Sequence, residues 1–229
     1  MSEALAYLAS ARYFRPRSVN ASIQGGSSGR STLGGLKVED GRTLEGLELV
    51  LQPACRVEGN VIGSDGAPVA GATVIALDEK GRRLTGWERE TTDAAGHFAF
   101  ESLPPVRATF CATKGMQSSG ASTWVQISEG EPSKVDLALV NATLLFVQPV
   151  DAQGNGVQAD VQVLDARGLD QGSLSDWNVQ PSAPQPGHRF GPLAPGKYTV
   201  VVMLKDKPDV RQEVTLSGDP TQAFSVHVE

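Results

Sequence analysis

Val57-Glu58-Gly59-Asn60-Val61-Ile62-Gly63-Ser64-Asp65-Gly66-Ala67-Pro68-Val69-Ala70-Gly71-Ala72-Thr73-Val74-Ile75-Ala76-Leu77-Asp78-Glu79-Lys80-Gly81 sets out a strand, a turn and a second strand in 25 residues. Val57, Gly59 and Val61 alternate, and Ser64-Asp65-Gly66 marks a turn. Val69 then leads into Ala72, Val74 and Ala76, a period of two that predicts a half-buried strand closed by Asp78-Glu79-Lys80-Gly81. Downstream, Thr91-Thr92-Asp93-Ala94-Ala95-Gly96 is a further turn, followed by Phe98 and Phe100 on one face. Ala108, Phe110 and Ala112 alternate next. Val125 and Ile127, a turn at Gly130, and Val135, Leu137 and Leu139 complete the run. About seven short strands with turn signals roughly every 8 to 12 residues predict a β-sandwich. No segment carries a 3.6-residue period, so almost no helix is expected.

The pattern repeats. Phe100, Leu103, Pro105, Arg107 and Thr109 match Phe190, Leu193, Pro195, Lys197 and Thr199 at an offset of 90. Gly66 and Val69 match Gly154 and Val157 at 88, and Ala72, Val74, Asp78 and Gly81 match Ala159, Val161, Asp165 and Gly168 at 87. A period this long implies tandem domains rather than a solenoid of short repeats. In the later run, Leu144, Phe146 and Gln148 open the first strand. Val161 and Val163 then alternate, as do Tyr198, Val200 and Val202, and Phe224, Val226 and Val228 close the run. Between Gly168 and Phe190 it is three residues longer, 22 against 19, and the excess falls near Trp177 to His188 with Pro181, Pro184 and Pro186. An exposed, stiff loop is expected there. Leu47, Leu49 and Leu51 match Val135, Leu137 and Leu139 at 88, and Gly41 matches Gly130 at 89. The expected organisation is residues 1–53 as the closing strands of a partial sandwich, then sandwiches at 54–140 and 141–229. Residues 7–13 would supply a strand of the partial one. Half a sandwich leaves open edges, so a longer native chain is expected.

Gly 25 and Pro 14 suit short strands joined by turns, and 40% hydrophobic against 20% charged residues reads as a folded chain. A net charge of −6 without a basic stripe argues against a nucleic-acid partner. No apolar run approaches the ~18 residues of a membrane span. The first 14 residues lack the basic start and apolar run of a signal peptide.

The arrangement from Val57 to Val74 resembles the carboxypeptidase regulatory-like domain. So do Thr92-Asp93-Ala94-Ala95-Gly96-His97-Phe98 and Leu193-Ala194-Pro195-Gly196-Lys197-Tyr198-Thr199-Val200. The resemblance covers about residues 55–229 and, more weakly, the first 53. It implies an all-β fold of tandem, roughly seven-stranded transthyretin-like or immunoglobulin-like sandwiches. It also implies an accessory unit of secreted or envelope proteins, hence an extracytoplasmic location. Val106 stands where that pattern has glycine and Ala108 where it has tyrosine, while Gly196 and Tyr198 keep both. The glycine permits a positive φ, the tyrosine resembles a corner residue that bonds across the sandwich, and the earlier corner is expected to be looser. Leu145-Phe146-Val147 replaces the glycine-containing first strand in the later run.

Candidate chemistry is sparse. His97, His188 and His227 sit on separate segments without partners at metal-ligand spacing, so no metal and no cofactor are expected. Ser27-Ser28 and Ser118-Ser119 lie in no nucleophile elbow and read as polar loop serines. The iron-ligand set of ring-cleaving dioxygenases and the C-terminal Tyr-Arg-Gly-Ser of hydroxyisourate hydrolases, both enzymes of transthyretin-like fold, are not in this sequence. Asp65, Asp78, Asp93, Asp151 and Asp165 occupy turns. Calcium at a sandwich edge is one reading, and carboxylates capping their own backbone is the simpler one. Trp87, Trp124 and Trp177 are the candidate ligand-binding residues, since an exposed ring stacks on sugar faces; packing over an edge or core is the alternative for each. Cys55 shares parity with the inward Val57, whereas Cys111 lies between Phe110 and Ala112 and points the other way, which disfavours a disulfide. The expected function is non-enzymatic: a spacer, adhesion or presentation module with neighbouring domains and a polysaccharide or protein partner. Carbohydrate binding through loop aromatics is the alternative.

Overall fold

The computed structural model describes residues 6–12, 17–24, 30–38, 43–50, 53–85, 89–175, 181, 187–205 and 207–228. These are strands and turns throughout, apart from one 3-10 turn at Gly172–Leu174. Among the described residues no helix is long and apolar enough to cross a membrane. The chain clusters into two compact units. One comprises Met1–Val57, Ala99–Val106 and Gln126–Ser133; the other comprises Glu58–Phe98, Arg107–Val125 and Lys134–Glu229.

Four strands precede residue 53: β1 (Ala6–Arg12), β2 (Arg17–Gln24), β3 (Arg30–Val38) and β4 (Thr43–Val50). β1 pairs antiparallel with β4, and β2 with β3. The segments read as strands at 7–13 and around Leu47 and Leu49 are thus partners, with Tyr7 opposite Leu49. The hairpin between them had no counterpart in the sequence reading, and Ser27-Ser28 falls outside the described residues.

The central segment carries β5 (Cys55–Ile62), β6 (Thr73–Asp78), β7 (Glu90–Thr91), β8 (His97–Leu103) and β9 (Arg107–Lys114), then five two-residue strands. These are β10 (Gln117–Ser118), β11 (Val125–Gln126), β12 (Ser133–Lys134), β13 (Leu137–Ala138) and β14 (Val140–Asn141). One sheet runs β14-β10-β9-β6-β7 with β11 on β9, and the other runs β12-β5-β13 with β8 on β5. Gly59 is buried in β5 because the chain leading to β13 crosses directly over it: a Cβ there would fall 1.7 Å from the Val135 carbonyl oxygen.

The C-terminal segment contains β15 (Thr143–Val150), β16 (Asp160–Asp165), β17 (His188–Leu193), β18 (Gly196–Met203), β19 (Val210–Leu216) and β20 (Thr221–His227). Sheets β17-β15-β20 and β16-β18-β19 face each other. Leu145, Val147, Phe190, Leu193 and Val226 from one meet Val163, Tyr198, Val200, Val202, Val214 and Leu216 from the other in a single apolar cluster. Each fully buried aliphatic side chain here contributes on the order of 2 kcal/mol. Six strands are described, one fewer than expected. In β15 Leu145 and Val147 belong to this core, and Leu144 and Phe146 alternate with them. All four are buried, so alternation does not mark the inner side.

For β6 and β9 this is a correction. Their alternation predicts half-burial, yet Val74 to Leu77 and Ala108 to Thr113 are all buried. The outward set Ile75, Leu77 and Cys111 forms a second cluster with Leu169 and Leu174 of the C-terminal segment. Cys111 does point away from its strand neighbours' core, and both thiols are free and buried.

Candidate functional site

The turn carboxylates come first, because their chemistry is repeated. Oδ1 of Asp78 accepts the amides of Lys80 and Arg82; Asp93 accepts those of Ala95 and His97. Asp151 accepts those of Gln153 and Asn155, and Asp165 those of Arg167 and Leu169. All eight bonds span 2.8–2.9 Å. In each case the glycine three residues on, Gly81, Gly96, Gly154 or Gly168, has φ between 73° and 84°. The side chain rebuilds the turn's hydrogen bonds locally, and glycine takes the left-handed position that closes the hairpin. Burial alone would raise the Asp78 carboxyl, but bonds from the Arg82 amide and guanidinium and the Lys80 amide hold it below the usual range. Side-chain and amide bonds from Asn155 do the same for Asp151. These oxygens are therefore committed to the backbone, and among the described residues no three His, Cys, Asp or Glu gather as a metal site.

The seam around the Ile75-Leu77-Cys111-Leu169-Leu174 cluster is the densest meeting of functional side chains in the second unit. Trp124 is half-buried against it. The Arg107 and Arg167 guanidinium carbons each lie over its ring, 5.3 Å from the centroid. Arg167 also donates from Nη1 to the Ser122 carbonyl at 2.8 Å and is held by Asp165 Oδ2 at 3.1 Å. Arg83 donates from Nε and Nη2 to the Ser173 carbonyl at 3.0 and 2.6 Å. Cation–ring contacts are worth ~0.5–1 kcal/mol where exposed and more when desolvated. The arrangement binds one segment to the other.

Ser118 is a correction. It is a buried residue of β10, and Ser119 is half-buried in the loop that follows. Beyond β10 backbone and hydroxyl share the edge of β9: the Ser119 and Ser122 amides donate to the Ala112 and Phe110 carbonyls, while Ser119 Oγ accepts the Ala112 amide at 2.9 Å and Ser122 Oγ accepts the Phe110 amide at 3.0 Å. The matching edge of β18 is covered by the full strand β19. The connection Val140–Asn141 is itself a strand, β14, pairing with β10.

Residues 56–140 match the family model of the carboxypeptidase regulatory-like domain. Residues 56–140 thus carry the pattern of a carboxypeptidase regulatory-like domain. No curated protein matches the chain. Among solved structures it is similar to the Bacillus anthracis TIE protein, with 15% identity over 98% of this chain and 50% of that one and a TM-score of 0.33. It is similar also to the shaft pilin spaA from Lactobacillus rhamnosus GG, with 10% identity over 77% and 98% and a TM-score of 0.29. A third is GBS52, the minor pilin of Streptococcus agalactiae, with 14% identity over 75% and 94% and a TM-score of 0.31. The chain spans half the length of the first of these.

The regulatory-like domain departs from its family at the Leu-Pro-Pro corner, and the structure gives the consequence. In the C-terminal segment Tyr198 donates its hydroxyl to the Ala194 carbonyl at 2.8 Å, a bond within its own turn and not across the sandwich. In the regulatory-like domain Ala108 has no hydroxyl, and the matching carbonyl, Pro104, accepts the Val106 amide at 2.9 Å. The corner is closed in both, by different donors. Of the three tryptophans, Trp124 lies in the seam just described, whereas Trp87 and Trp177 lie outside the described residues. His97, His188 and His227 are not brought together: His97 donates its amide to the Asp93 turn, and His188 and His227 are exposed on β17 and β20.

Proposed function

We propose that this chain is a non-catalytic structural module of a larger extracytoplasmic protein, setting the spacing and presentation of its neighbours. One observation carries the reading: the seam locks the regulatory-like domain to the C-terminal segment. It joins them through an apolar cluster, through Arg83 to Ser173, through Arg167 to Ser122 and through a connection bonded as β14. A binding or catalytic protein spends such arginines and carboxylates on a ligand; here they are spent on architecture. The family match supports an accessory role, and the extracytoplasmic location rests on the same likeness.

Spin labels at exposed Lys114 and Lys207, placed by cysteine substitution, test the reading by their distance distribution. A narrow distribution that broadens with Leu169→Asp plus Leu174→Asp supports a stiff spacer. A broad distribution in the parent protein refutes it. The carbohydrate alternative rests on Trp87 and Trp177. A glycan array with the parent, Trp87→Ala and Trp177→Ala side by side decides it, and binding abolished by either substitution with the fold intact would replace the spacer reading.

A further inference from the structure

A cavity of about 350 Å³ opens on the outer face of the β16-β18-β19 sheet, lined by Leu164, Asp165, Gly168, Lys197, Thr199 and Glu213 among others. Its lining is not arbitrary. Leu164, Asp165 and Gly168 match Leu77, Asp78 and Gly81 at an offset of 87, and Lys197 and Thr199 match Arg107 and Thr109 at 90. In the regulatory-like domain those matching positions form the seam. Leu77 packs on Leu169 and Leu174, a Cβ at Gly81 would meet the Asp170 carbonyl at 3.4 Å, Arg107 lies over Trp124, and Thr109 donates to the Ser122 carbonyl. The same slot therefore occurs twice in the chain. In the regulatory-like domain it is filled by the hairpin of residues 165–175 over Leu77 and Gly81 and by the domain's own Ser122 and Trp124 over Thr109 and Arg107; in the C-terminal segment it is a cavity.

We infer that the cavity is a docking slot for the corresponding hairpin of a further sandwich of the same kind, seated as residues 165–175 seat on the regulatory-like domain. The inference rests on the reading of the chain as a module among like modules. The chemistry follows position by position. The floor keeps Leu164 and Thr199 for an aliphatic side chain. Glu213 stands opposite Thr199 in the ladder and offers an incoming guanidinium the counterpart that Ser122 and Trp124 offer Arg167. Two differences set the strength. Gln162 stands where the filled slot has Ile75, and the rim carries Lys197 and Arg211, so the cavity is wetter and its occupant held more weakly. A surface repeated along a chain and contacted by a different surface of its neighbour is a head-to-tail contact, which extends rather than closes.

The test lengthens the full chain by a second copy of residues 141–229, which raises the local concentration of the hairpin to the millimolar range. Lys197→Cys in the first copy places a thiol on the rim, and its alkylation is followed by mass spectrometry. Docking should slow alkylation at least tenfold relative to the same substitution in the 229-residue chain. Replacing both leucines that match Leu169 and Leu174 in the added copy with Asp should restore it. An unchanged rate with the added copy folded by circular dichroism overturns the inference, while a narrow spin-label distribution in the parent leaves the spacer reading standing. A second arm covers failure of the added copy to fold. Thr199→Arg fills the slot, and should lower the melting temperature of the lengthened chain and not that of the 229-residue chain. Equal effects on both chains, or none, count against docking.

Discussion

Gly59 and Gly66 lie in the same strand-turn-strand stretch, yet they are there for different reasons. At Gly59 a methyl group would meet the Val135 carbonyl and the Phe98 ring; at Gly66 it would meet nothing, but φ is +79°. Gly59→Ala should therefore cost roughly 3 kcal/mol or more, or prevent folding, through overpacking. Gly66→Ala should cost only about 1–2 kcal/mol, the left-handed penalty. Urea denaturation of the two variants separates them. Tyr198 makes a prediction at the other end of the pH scale. Its phenol is pushed well above the ordinary value, chiefly by burial and further by neighbouring negative charge. Its contribution is fully present below about pH 10 and declines above it by roughly 1.4 kcal/mol per pH unit. Tyr198→Phe should cost about 1–2 kcal/mol at neutral pH, because the buried Ala194 carbonyl loses its donor, and should flatten that alkaline decline. Asp78 has the opposite sign. Its carboxyl is held below the usual range, so its contribution is present above about pH 4 and is lost as pH falls through the folded value. Asp78→Asn should weaken the protein at pH 7 and make little difference near pH 2, measured by thermal melts across the range.

At the scale of elements, β9 shows what a strand reading captures and what it does not. The alternation of Ala108, Phe110 and Ala112 located the strand and its inner face. It gave no sign that Cys111 on the other face would be equally buried, because burial there depends on Leu169 and Leu174, 58 and 63 residues further along the chain. The turns were legible for the opposite reason. Asp-x-x-Gly at 78, 93, 151 and 165 contains the whole interaction within five residues, so no distant partner is needed. The serine edge was illegible because hydroxyls take the place of carbonyl acceptors there and leave no period of two. The candidate site followed suit: Trp124 was identified as a residue, but its arginine neighbours come from separate strands and turns. Leu174→Ala should cost about 2–4 kcal/mol. It should also make Cys111 reactive to a thiol reagent under native conditions, whereas the parent protein, with both cysteines buried, should react only on unfolding.

Two parallel pairings among the described residues differ in length. β15 and β20 run parallel through seven consecutive register pairs, from Leu144 opposite Thr221 to Val150 opposite His227. β5 and β13 share two, Leu137 with Val61 and Ala138 with Ile62, flanked by backbone bonds from Val135 to Glu58 and from Leu139 to Ile62. Consider tension along the polypeptide. A pull on the chain entering β15 and on the chain leaving β20 acts in opposite directions along two strands whose bonds lie across the pull. Those bonds are sheared together and cannot peel one at a time. The short β5–β13 pairing offers few bonds to share the strain, so under stretching the regulatory-like domain should yield first and the C-terminal segment should hold. A chain with this order of failure lengthens in steps under force, shedding a weak element while the strong one keeps the two ends joined.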